Sequence, residues 1–269
     1  MVKQKKWSNL HSSSTPDKLL YLDTFRAAKF AQEYKQQSYS LLEIQEGEVI
    51  LDVGCGPGDD ALALAQQIGS GGRVMGIDND KTMIAEARRR ALGTGLTVEF
   101  CSCDIHQLAL AANSFDACRA DRVFQHLDQP QKALSEMIRV AKPGARILVM
   151  EPDWETLAMD VPDQATTRKV VNFICDRIVR NGWMGRQLPN LFKRTGLADI
   201  GILASAIPLT DFILADRLWG LRRNAERAKN AGVITAYEKK TWIHSLEQAS
   251  RDNQFFGVVM GIAALGKKP

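Results

Sequence analysis

Apolar and polar residues follow two different periods along most of this chain. Short apolar runs flanked by glycine, asparagine or charged residues are typical of buried strands, whereas apolar residues at every third or fourth position are typical of amphipathic helices. The predicted strands are Val49–Val53, Arg73–Asp78, Thr97–Cys101, Phe115–Ala120 and Arg146–Glu151. The helices predicted between them are Asp60–Ile68, Asp80–Gly93 and Gln129–Val140. Because strands and helices alternate, the pattern predicts an α/β fold with a doubly wound, mostly parallel sheet.

The pattern differs on either side of this alternating segment. A polar start, Met1–Asp17, is interpreted as a frayed or lid-like segment, and helical periodicity follows over Lys18–Leu42. Lys142-Pro143-Gly144 predicts a tight turn before the fifth strand, because proline and glycine both end a helix. Beyond Asp153, the predicted elements are the helices Gln164–Arg180, Leu188–Thr195, Phe212–Lys229 and Thr235–Asp252 and the strands Ile200–Pro208 and Phe255–Leu265.

The first strand leads into a turn rich in glycine. Residues Val49 to Gly58 read V-I-L-D-V-G-C-G-P-G, and an amphipathic run follows. Gly54, Gly56 and Gly58 allow the backbone to pass close to a ligand in conformations that other residues disfavour. The helix that follows directs unpaired N–H groups and the positive end of its dipole towards the turn. A strand, a glycine turn and a helix in this order indicate a nucleotide-type cofactor site.

The spacing of the glycines narrows the choice of cofactor. Dinucleotide-binding folds use G-x-G-x-x-G, whereas this chain has G-x-G-x-G, with Asp52 two residues before Gly54. The sequence Asp52-Val-Gly-Cys-Gly-Pro-Gly resembles the first motif of the class I S-adenosylmethionine-dependent methyltransferases. Within that family, Gly185-Arg186-x-Leu188-Pro189 and Thr195-Gly196-Leu197 look like the ubiquinone/menaquinone-biosynthesis-like branch.

The resemblance implies a Rossmann-like methyltransferase fold with seven strands, the last of which is reversed and inserted beside the fifth. An antiparallel hairpin of Ile200–Pro208 and Phe255–Leu265 matches that pattern. We therefore expect residues 1–40 to form an N-terminal helical segment or lid and residues 41–269 to form the methyltransferase domain. The helical stretches at about 160–198 and 212–252 are interpreted as a substrate-side cap, although helical stripes of this kind are also common in cores.

The resemblance also implies S-adenosylmethionine as the cofactor. Asp78, about twenty residues after the glycine turn, is expected to accept both ribose hydroxyls, a spacing that would serve NAD as well. Cys103-Asp104-Ile105 resembles the adenine-binding segment, and the alternative is a loop aspartate satisfied by backbone N–H groups. Asp80 is interpreted as the N-cap of the next helix. The predicted cofactor-binding residues are Asp52, Gly54, Cys55, Gly56, Gly58, Asp78, Asn79, Cys103, Asp104, Ile105, Ala120, Asp121 and Arg26.

Methyl transfer from a sulfonium requires the nucleophile and the methyl group to be held close, aligned and away from water. His126 is the predicted general base, since the pKa of histidine suits that role near neutral pH; the alternative is a histidine that caps or packs at a helix start. Asp153 is predicted to orient the acceptor and Trp154 to stack on a ring, unless Pro152 beside them only ends the strand. The predicted far wall of the substrate pocket consists of Trp183, Met184 and Arg186, with tryptophan as a core residue the alternative.

Charge narrows the substrate class. The net charge of +4 includes five lysines in the two ends of the chain, which leaves −1 for the body; they are Lys3, Lys5, Lys6, Lys267 and Lys268. A body without clustered Lys and Arg argues against a nucleic-acid surface, and Arg88 to Arg90 are interpreted as the last turn of a helix. Neither an Asp/Asn-Pro-Pro-aromatic motif nor a Pro-Cys pair is present. We therefore expect a small, partly apolar metabolite as the substrate.

The cysteines carry no metal-ligand spacing, so no metal is expected and the thiols are predicted to be reduced, as in a cytoplasmic protein; they are Cys55, Cys101, Cys103, Cys118 and Cys175. No secretory signal and no apolar run long enough to span a bilayer is recognisable, so a soluble monomer or homodimer is expected. Three other functions stay open: a non-catalytic S-adenosylmethionine-binding protein, a methyltransferase acting on a protein or RNA, and an NAD-dependent oxidoreductase, which the glycine spacing disfavours.

Overall fold

The structure, a computed structural model, describes residues 15–269. Residues 1–14 of the segment predicted to be frayed or lid-like therefore lie outside the described part of the chain. The described residues fall into two compact units. One, the sheet unit, holds Glu33–Glu151, Arg186–Leu203 and Ile262–Pro269. The other, the helical unit, holds residues 15–32 together with Pro152–Gly185 and Ala204–Gly261.

Seven strands form one sheet. They are β1 (Val49–Val53), β2 (Arg73–Asp78), β3 (Val98–Ser102), β4 (Phe115–Asp121), β5 (Ala141–Met159), β6 (Ala198–Leu209) and β7 (Gly257–Lys267). Their order across the sheet is β3-β2-β1-β4-β5-β7-β6. The first five strands pair in parallel, with Val49 opposite Arg73 and Ile50 opposite Ala117. The bounds of β1 and β2 are those predicted from the apolar runs.

β7 runs antiparallel to β5, as expected for this fold. Gly144 N donates to Lys268 O (2.8 Å), whereas Asp160 N, after the end of β5, donates to Phe256 O (3.0 Å). As the residue number rises along β5, the number of the partner residue along β7 falls, so the two strands are antiparallel. This reversed strand beside the fifth confirms the predicted mostly parallel, doubly wound sheet of seven strands.

Ten α-helices lie in residues 15–269. They are α1 (Thr15–Ala27), α2 (Lys29–Leu41), α3 (Asp59–Ile68), α4 (Lys81–Ala91), α5 (Pro130–Val140), α6 (Gln164–Phe173), α7 (Met184–Arg194), α8 (Phe212–Trp219), α9 (Leu221–Asn230) and α10 (Ala236–Arg251). None of these helices is long and apolar enough to cross a membrane. A 3₁₀ turn, Phe124–His126, follows β4, and α6 continues as a π-helical turn, Ile174–Ile178.

The core of the sheet unit lies between the sheet and its helices. α3 buries Ala61, Leu64, Ala65 and Ile68, which share one face because they recur at intervals of three and four residues. They pack in one cluster with strand residues, among them Ile50, which is fully buried. Burying a leucine or isoleucine such as Leu64 or Ile68 contributes roughly 1.5–3 kcal/mol, and burying an alanine contributes less, so the amphipathic pattern determines which face of the helix meets the sheet.

Two predicted helices are interrupted. The helical stretch Lys18–Leu42 bends at Ala28 and forms α1 and α2, and nothing in the local sequence explains this break. The stretch Phe212–Lys229 divides at Gly220, whose φ of +64° is a left-handed conformation that ends α8 and begins α9. A single continuous helix was the wrong prediction at both places.

β5 differs most from the prediction. The expected tight turn at Lys142-Pro143-Gly144 lies inside the strand as a bulge, because Ala141 to Arg146 lie opposite only Phe115 to Ala117 of β4. The strand also continues through Pro152 and Asp153 to Met159, so Asp153 does not follow the strand, as predicted, but belongs to it. The reason is the neighbouring β7, which provides a pairing partner beyond the point where β4 ends.

The helical unit has its own core. Trp242 of α10 is fully buried, and its Nε1 donates to Thr167 Oγ1 of α6 (2.9 Å). α10 begins with a capping box in which Thr235 and Glu238 satisfy each other's backbone N–H groups. Of the helical stretches predicted as a cap, the part from Arg186 to residue 198 belongs to the sheet unit. The role of the remaining helices as a substrate-side cap stays a prediction.

Candidate cofactor site

The glycine turn after β1 has no room for side chains at two of its glycines. Gly54 has a φ of +68°, and a Cβ atom there would lie 2.3 Å from Cγ2 of Val123. Gly58 has a φ of +87°, and its Cβ would lie 2.8 Å from Cζ of Phe100. Both the backbone conformation and the packing therefore require glycine. The turn leads directly into α3, whose N-terminus is the favourable end of a helix for an anionic ligand group.

Asp78, at the end of β2, is joined to this turn. One carboxylate oxygen accepts from Gly56 N (3.0 Å) and the other from Asp80 N (2.8 Å). A carboxylate oxygen can accept more than one hydrogen bond, and the assignment of the two ribose hydroxyls to Asp78 stays a prediction. Asn79 beside it is exposed. Asp80 accepts from Thr82 N (2.9 Å) and caps α4, which confirms the interpretation of that residue.

The segment after β3 lies beside the glycine turn and the end of β2. Cys103 N donates to Asp78 O (3.0 Å), which brings Cys103, Asp104 and Ile105 to the same edge of the sheet. The Asp104 carboxylate is 67% exposed and accepts from the backbone N of His106 (2.9 Å) and from its ring Nδ1 (2.7 Å). These hydrogen bonds hold the pKa of Asp104 below its usual value. Asp104 thus accepts from a backbone N–H group, as the alternative of a loop aspartate predicts. Its role in binding adenine stays a prediction.

A buried cluster of charges lies under the turn. Arg119, in β4, is 1% exposed, and its guanidinium faces three carboxylates: Asp52 of β1 at 3.3 Å, Asp60 of α3 at 3.1 Å and Asp121 of β4 at 3.1 Å. Lys35 of α2 pairs with Asp60 at 2.6 Å. The predicted site residues Asp52 and Asp121 are thus brought together by an arginine that the sequence analysis did not assign to the site.

The carboxylates in this cluster differ in pKa. Burial raises the pKa of Asp52 to about 7, because Arg119, its nearest cation, only partly offsets the loss of hydration. Burial also disfavours the charged form of Asp60, but Arg119, Lys35 and a hydrogen bond from Tyr39 hold its pKa below the ordinary range. Asp52 Oδ2 is buried and has no hydrogen-bond partner among the described residues, so an acceptor is left at the base of the glycine turn.

The loop after β4 is anchored to β5. Arg122 has a φ of +57°, and its N donates to Met150 O (2.8 Å). Phe124 N donates to the Glu151 carboxyl group, which is 1% exposed, and burial raises the pKa of Glu151 well above its usual value. His126 ends the 3₁₀ turn that these contacts position. The N-cap of α5 is Gln129, so His126 does not cap that helix.

The remaining predicted residues lie in different parts of the chain. Arg26 lies in α1 of the helical unit, and its Nε atom is 3.9 Å from Oδ1 of Asp23. Asp153 and Trp154 belong to the helical unit as well; Asp153 is buried, and Trp154 N donates to Gly182 O (3.0 Å). Trp183 is 44% exposed, so it is not a core residue. Met184 is buried at the start of α7, and the exposed Arg186 begins the next segment of the sheet unit.

Sequence reasoning missed several residues of the buried cluster: Lys35, Ser38, Tyr39, Asp60 and Arg119. One signal was present in the sequence, since an arginine in the middle of a buried strand must find carboxylates. Among residues 15–269 the five cysteines are free thiols, and no group of histidine, cysteine and acidic residues is arranged to hold a metal ion.

Comparison with known proteins identifies the family. The profile of a family described as a methyltransferase domain matches residues 44–196. This chain belongs to that methyltransferase family. A 37.1 kDa uncharacterised protein of transposon TN4556 from Streptomyces fradiae is 40% identical over 87% of this chain and 68% of its own length. The ubiquinone/menaquinone biosynthesis C-methyltransferase of Bdellovibrio bacteriovorus is 37% identical over 39% of this chain and 44% of its own length.

The methyltransferase therefore resembles the quinone enzymes over only part of their length. The chain spans 44–57% of the quinone methyltransferases that it matches. With its seven-stranded sheet, the chain is a class I S-adenosylmethionine-dependent methyltransferase, and S-adenosylmethionine is the cofactor of this class.

Solved structures share the fold. The YcgJ protein from Bacillus subtilis has a TM-score of 0.61 at 21% identity, covering 88% of this chain and 98% of its own. Phosphoethanolamine N-methyltransferase 2 of Haemonchus contortus has a TM-score of 0.56 at 19% identity, covering 87% of this chain and 52% of its own. The [4+2]-cyclase SpnF has a TM-score of 0.55 at 20% identity, covering 99% of this chain and 87% of its own. At these sequence identities the likeness shows a shared fold alone. The named proteins that share this fold have different activities.

Proposed function

We propose that this methyltransferase binds S-adenosylmethionine at the carboxyl ends of β1 to β4 and transfers its methyl group to an O, N or C nucleophile of a small-molecule metabolite. The observation that carries the proposal is the turn at Gly54 to Gly58, where a Cβ atom at Gly54 would lie 2.3 Å from Val123 and where the Asp78 carboxylate accepts from Gly56 N. When bound, the cofactor supplies an electrophilic methyl group on a sulfonium.

The residues around the turn fit the three parts of the cofactor. Asp78 and Asn79 would hold the ribose, and the segment from Cys103 to Ile105 would hold the adenine, with Asp104 accepting from its amino group. The backbone of Gly54 to Gly58, with Cys55 buried beneath it, would face the methionine portion together with Ala120 and Asp121. The buried Asp52 Oδ2, which has no partner within the described residues, fits a cofactor that carries an ammonium group. Arg26 remains a candidate for the cofactor carboxylate.

The kind of substrate is inferred from charge and from relatives. The body of the chain carries a net charge of −1 when the five lysines at its ends are set aside, which does not favour a long polyanion as the acceptor. Two relatives are named as ubiquinone/menaquinone biosynthesis C-methyltransferases, and the Haemonchus contortus structure contains phosphomonomethylethanolamine. Both names denote small-molecule chemistry, although at carbon in one case and at nitrogen in the other, so the acceptor atom stays open.

A general base is required only when the nucleophile arrives protonated. We propose His126 for that role, because the loop that carries it is fixed to β5 through Phe124 and Glu151. Asp153 would orient the acceptor, and Trp154, Trp183 and Arg186 would contact it. A phenol or an enolisable carbon would depend on the base, whereas a free amine would not.

The test is transfer of radiolabelled methyl from S-adenosylmethionine. The purified protein would be incubated separately with a deproteinised, nucleic-acid-free metabolite extract, with total protein and with total RNA. Label in a discrete small molecule supports the proposal and delivers the substrate for identification. Label only in protein or RNA shows a macromolecular acceptor. Cofactor binding without transfer in any of the three incubations leaves two explanations: a metabolite absent from the extract or a non-catalytic binding protein.

A further inference from the structure

Arg119 is buried in the sheet unit in a way that strand formation does not require. Its guanidinium lies within 3.3 Å of Asp52 and within 3.1 Å of both Asp60 and Asp121, and its Nη2 also lies 3.4 Å from Ser38 Oγ. These four partners come from β1, α3, β4 and α2. The planar fork of arginine suits such a site, because it directs several N–H groups at fixed angles.

The same cluster holds the second half of α2. Lys35 Nζ and Tyr39 Oη each lie 2.6 Å from Asp60, and Tyr34 Oη donates to the Asp121 carboxylate. The Arg119 guanidinium also lies over the Tyr39 ring, 5.4 Å from its centroid. Each of the aspartates Asp60 and Asp121 is therefore bound both by Arg119 and by a side chain of α2.

Burial of so many charges is not explained by stability. Replacing a buried ion-pair network with apolar side chains of similar size is often neutral or stabilising. In some proteins such a network instead determines one particular arrangement of its partners. Here two of the three carboxylates, Asp52 and Asp121, are residues proposed for the cofactor site, and Asp52 comes two residues before the glycine turn.

We propose that Arg119 is a positioning residue: it fixes the carboxylates of Asp52 and Asp121 in one orientation and ties α2 to the cofactor turn through Asp60. This inference rests on the proposed function, since it assigns to Arg119 the task of preparing the site for the cofactor. Arg119 acts through its partners and is not assigned a contact with the cofactor or the acceptor.

Two variants test the proposal. Arg119→Lys keeps the buried positive charge but loses the fork. Arg119→Met combined with Asp60→Asn removes one charge of each sign, so the cluster of Lys35, Asp52 and Asp121 keeps the formal net charge of the wild-type cluster. The matched control is Arg139→Met, which removes an arginine of α5 that contacts Glu136 and the carbonyls of Leu108 and Leu110 outside the cluster.

Binding of S-adenosylmethionine is measured by calorimetry, at a temperature well below the thermal midpoint of every variant. We expect Kd to rise about tenfold or more in both test variants and to change by less than about twofold in the control. A merely structural role would lower the thermal midpoint without changing the Kd of the folded protein. If the double variant does not fold, the Kd of Arg119→Lys alone decides whether Arg119 has this positioning role.

The outcomes separate the two proposals. Wild-type binding with an unchanged Kd in a folded test variant overturns the role of Arg119 and leaves the proposed function standing. A wild-type protein that does not bind S-adenosylmethionine overturns the proposed function, and the role of Arg119 with it.

Discussion

Replacing Asp78 with alanine removes the carboxylate that connects β2, the glycine turn and the proposed ribose position. In the structure this carboxylate accepts from Gly56 N at 3.0 Å and from Asp80 N at 2.8 Å. Hydrogen bonds to charged groups contribute roughly 1.5–3 kcal/mol each. Loss of even one of the two ribose contacts is therefore expected to weaken binding of S-adenosylmethionine by about 1.5–3 kcal/mol, or about 10- to 150-fold in Kd.

Asp78→Ala affects cofactor binding in two ways, through the ribose contacts and through the glycine turn, and calorimetry with a control separates them. Asp78→Ala also removes the acceptor for Gly56 N, so the turn itself loses support. Asp78→Asn keeps the shape and one acceptor oxygen, and we expect its Kd to lie between those of wild type and Asp78→Ala. The control is Asp80→Ala, which removes the N-cap of α4 at a cost of about 0.5–2 kcal/mol in stability but leaves the Kd close to wild type. An unchanged Kd in a folded Asp78→Ala protein would refute the ribose assignment.

Three other changes test the account in different ways. Gly54→Ala is expected to lower the free energy of unfolding by about 2 kcal/mol or more in urea titrations. Adding Val123→Ala should recover only the part of this loss that is due to the clash with the Val123 side chain. A Gly54→Ala protein as stable as wild type would contradict the positive φ of Gly54. His126→Ala should bind the cofactor as wild type does but turn over a phenol or carbon acid more slowly, and normal turnover would exclude His126 as the base. Because burial raises the pKa of Glu151, the native state keeps a proton that the unfolded chain loses above about pH 4.3, so the contribution of Glu151 to wild-type stability should fall as pH rises. The advantage of Glu151→Gln over wild type in urea titrations should therefore grow between pH 5 and pH 8, by up to about 1.4 kcal/mol per pH unit, and an advantage independent of pH would contradict the shift.

Local patterns were sufficient to predict the elements around the cofactor turn. β1 and β2 have the predicted bounds because each is a short, mostly apolar run; Gly54 follows β1, and Asp78 is the last residue of β2. Asp80 caps α4 as expected because an aspartate before a helical run has a nearby backbone N–H to accept from. These features depend on residues within one or two turns of each other, which is the range over which a sequence pattern carries direct information.

Two features that depend on distant segments were not predicted: the extension of β5 past Pro152 and the partners of Arg119. β5 passes Pro152 because β7, more than a hundred residues later, pairs with it, and no pattern near residue 152 indicates that partner. Arg119 was recognisable as a cation in the middle of a buried strand, but three of its four partners lie on α2, β1 and α3, which only the fold brings to it. The break at Gly220 was different, since a glycine inside a helical run is a local signal that a helix can end there.

The position of the cofactor is the central claim, and hydrogen–deuterium exchange of the wild-type protein, with and without saturating S-adenosylmethionine, tests it most directly. We predict slower exchange of the backbone amides in the turn Gly54–Gly58 and in the segments after β2, β3 and β4, which include Asp78–Asp80, Cys103–Ile105 and Asp121–Val123. Bound cofactor with unchanged exchange in all four segments, or protection confined to other parts of the chain, would contradict the account.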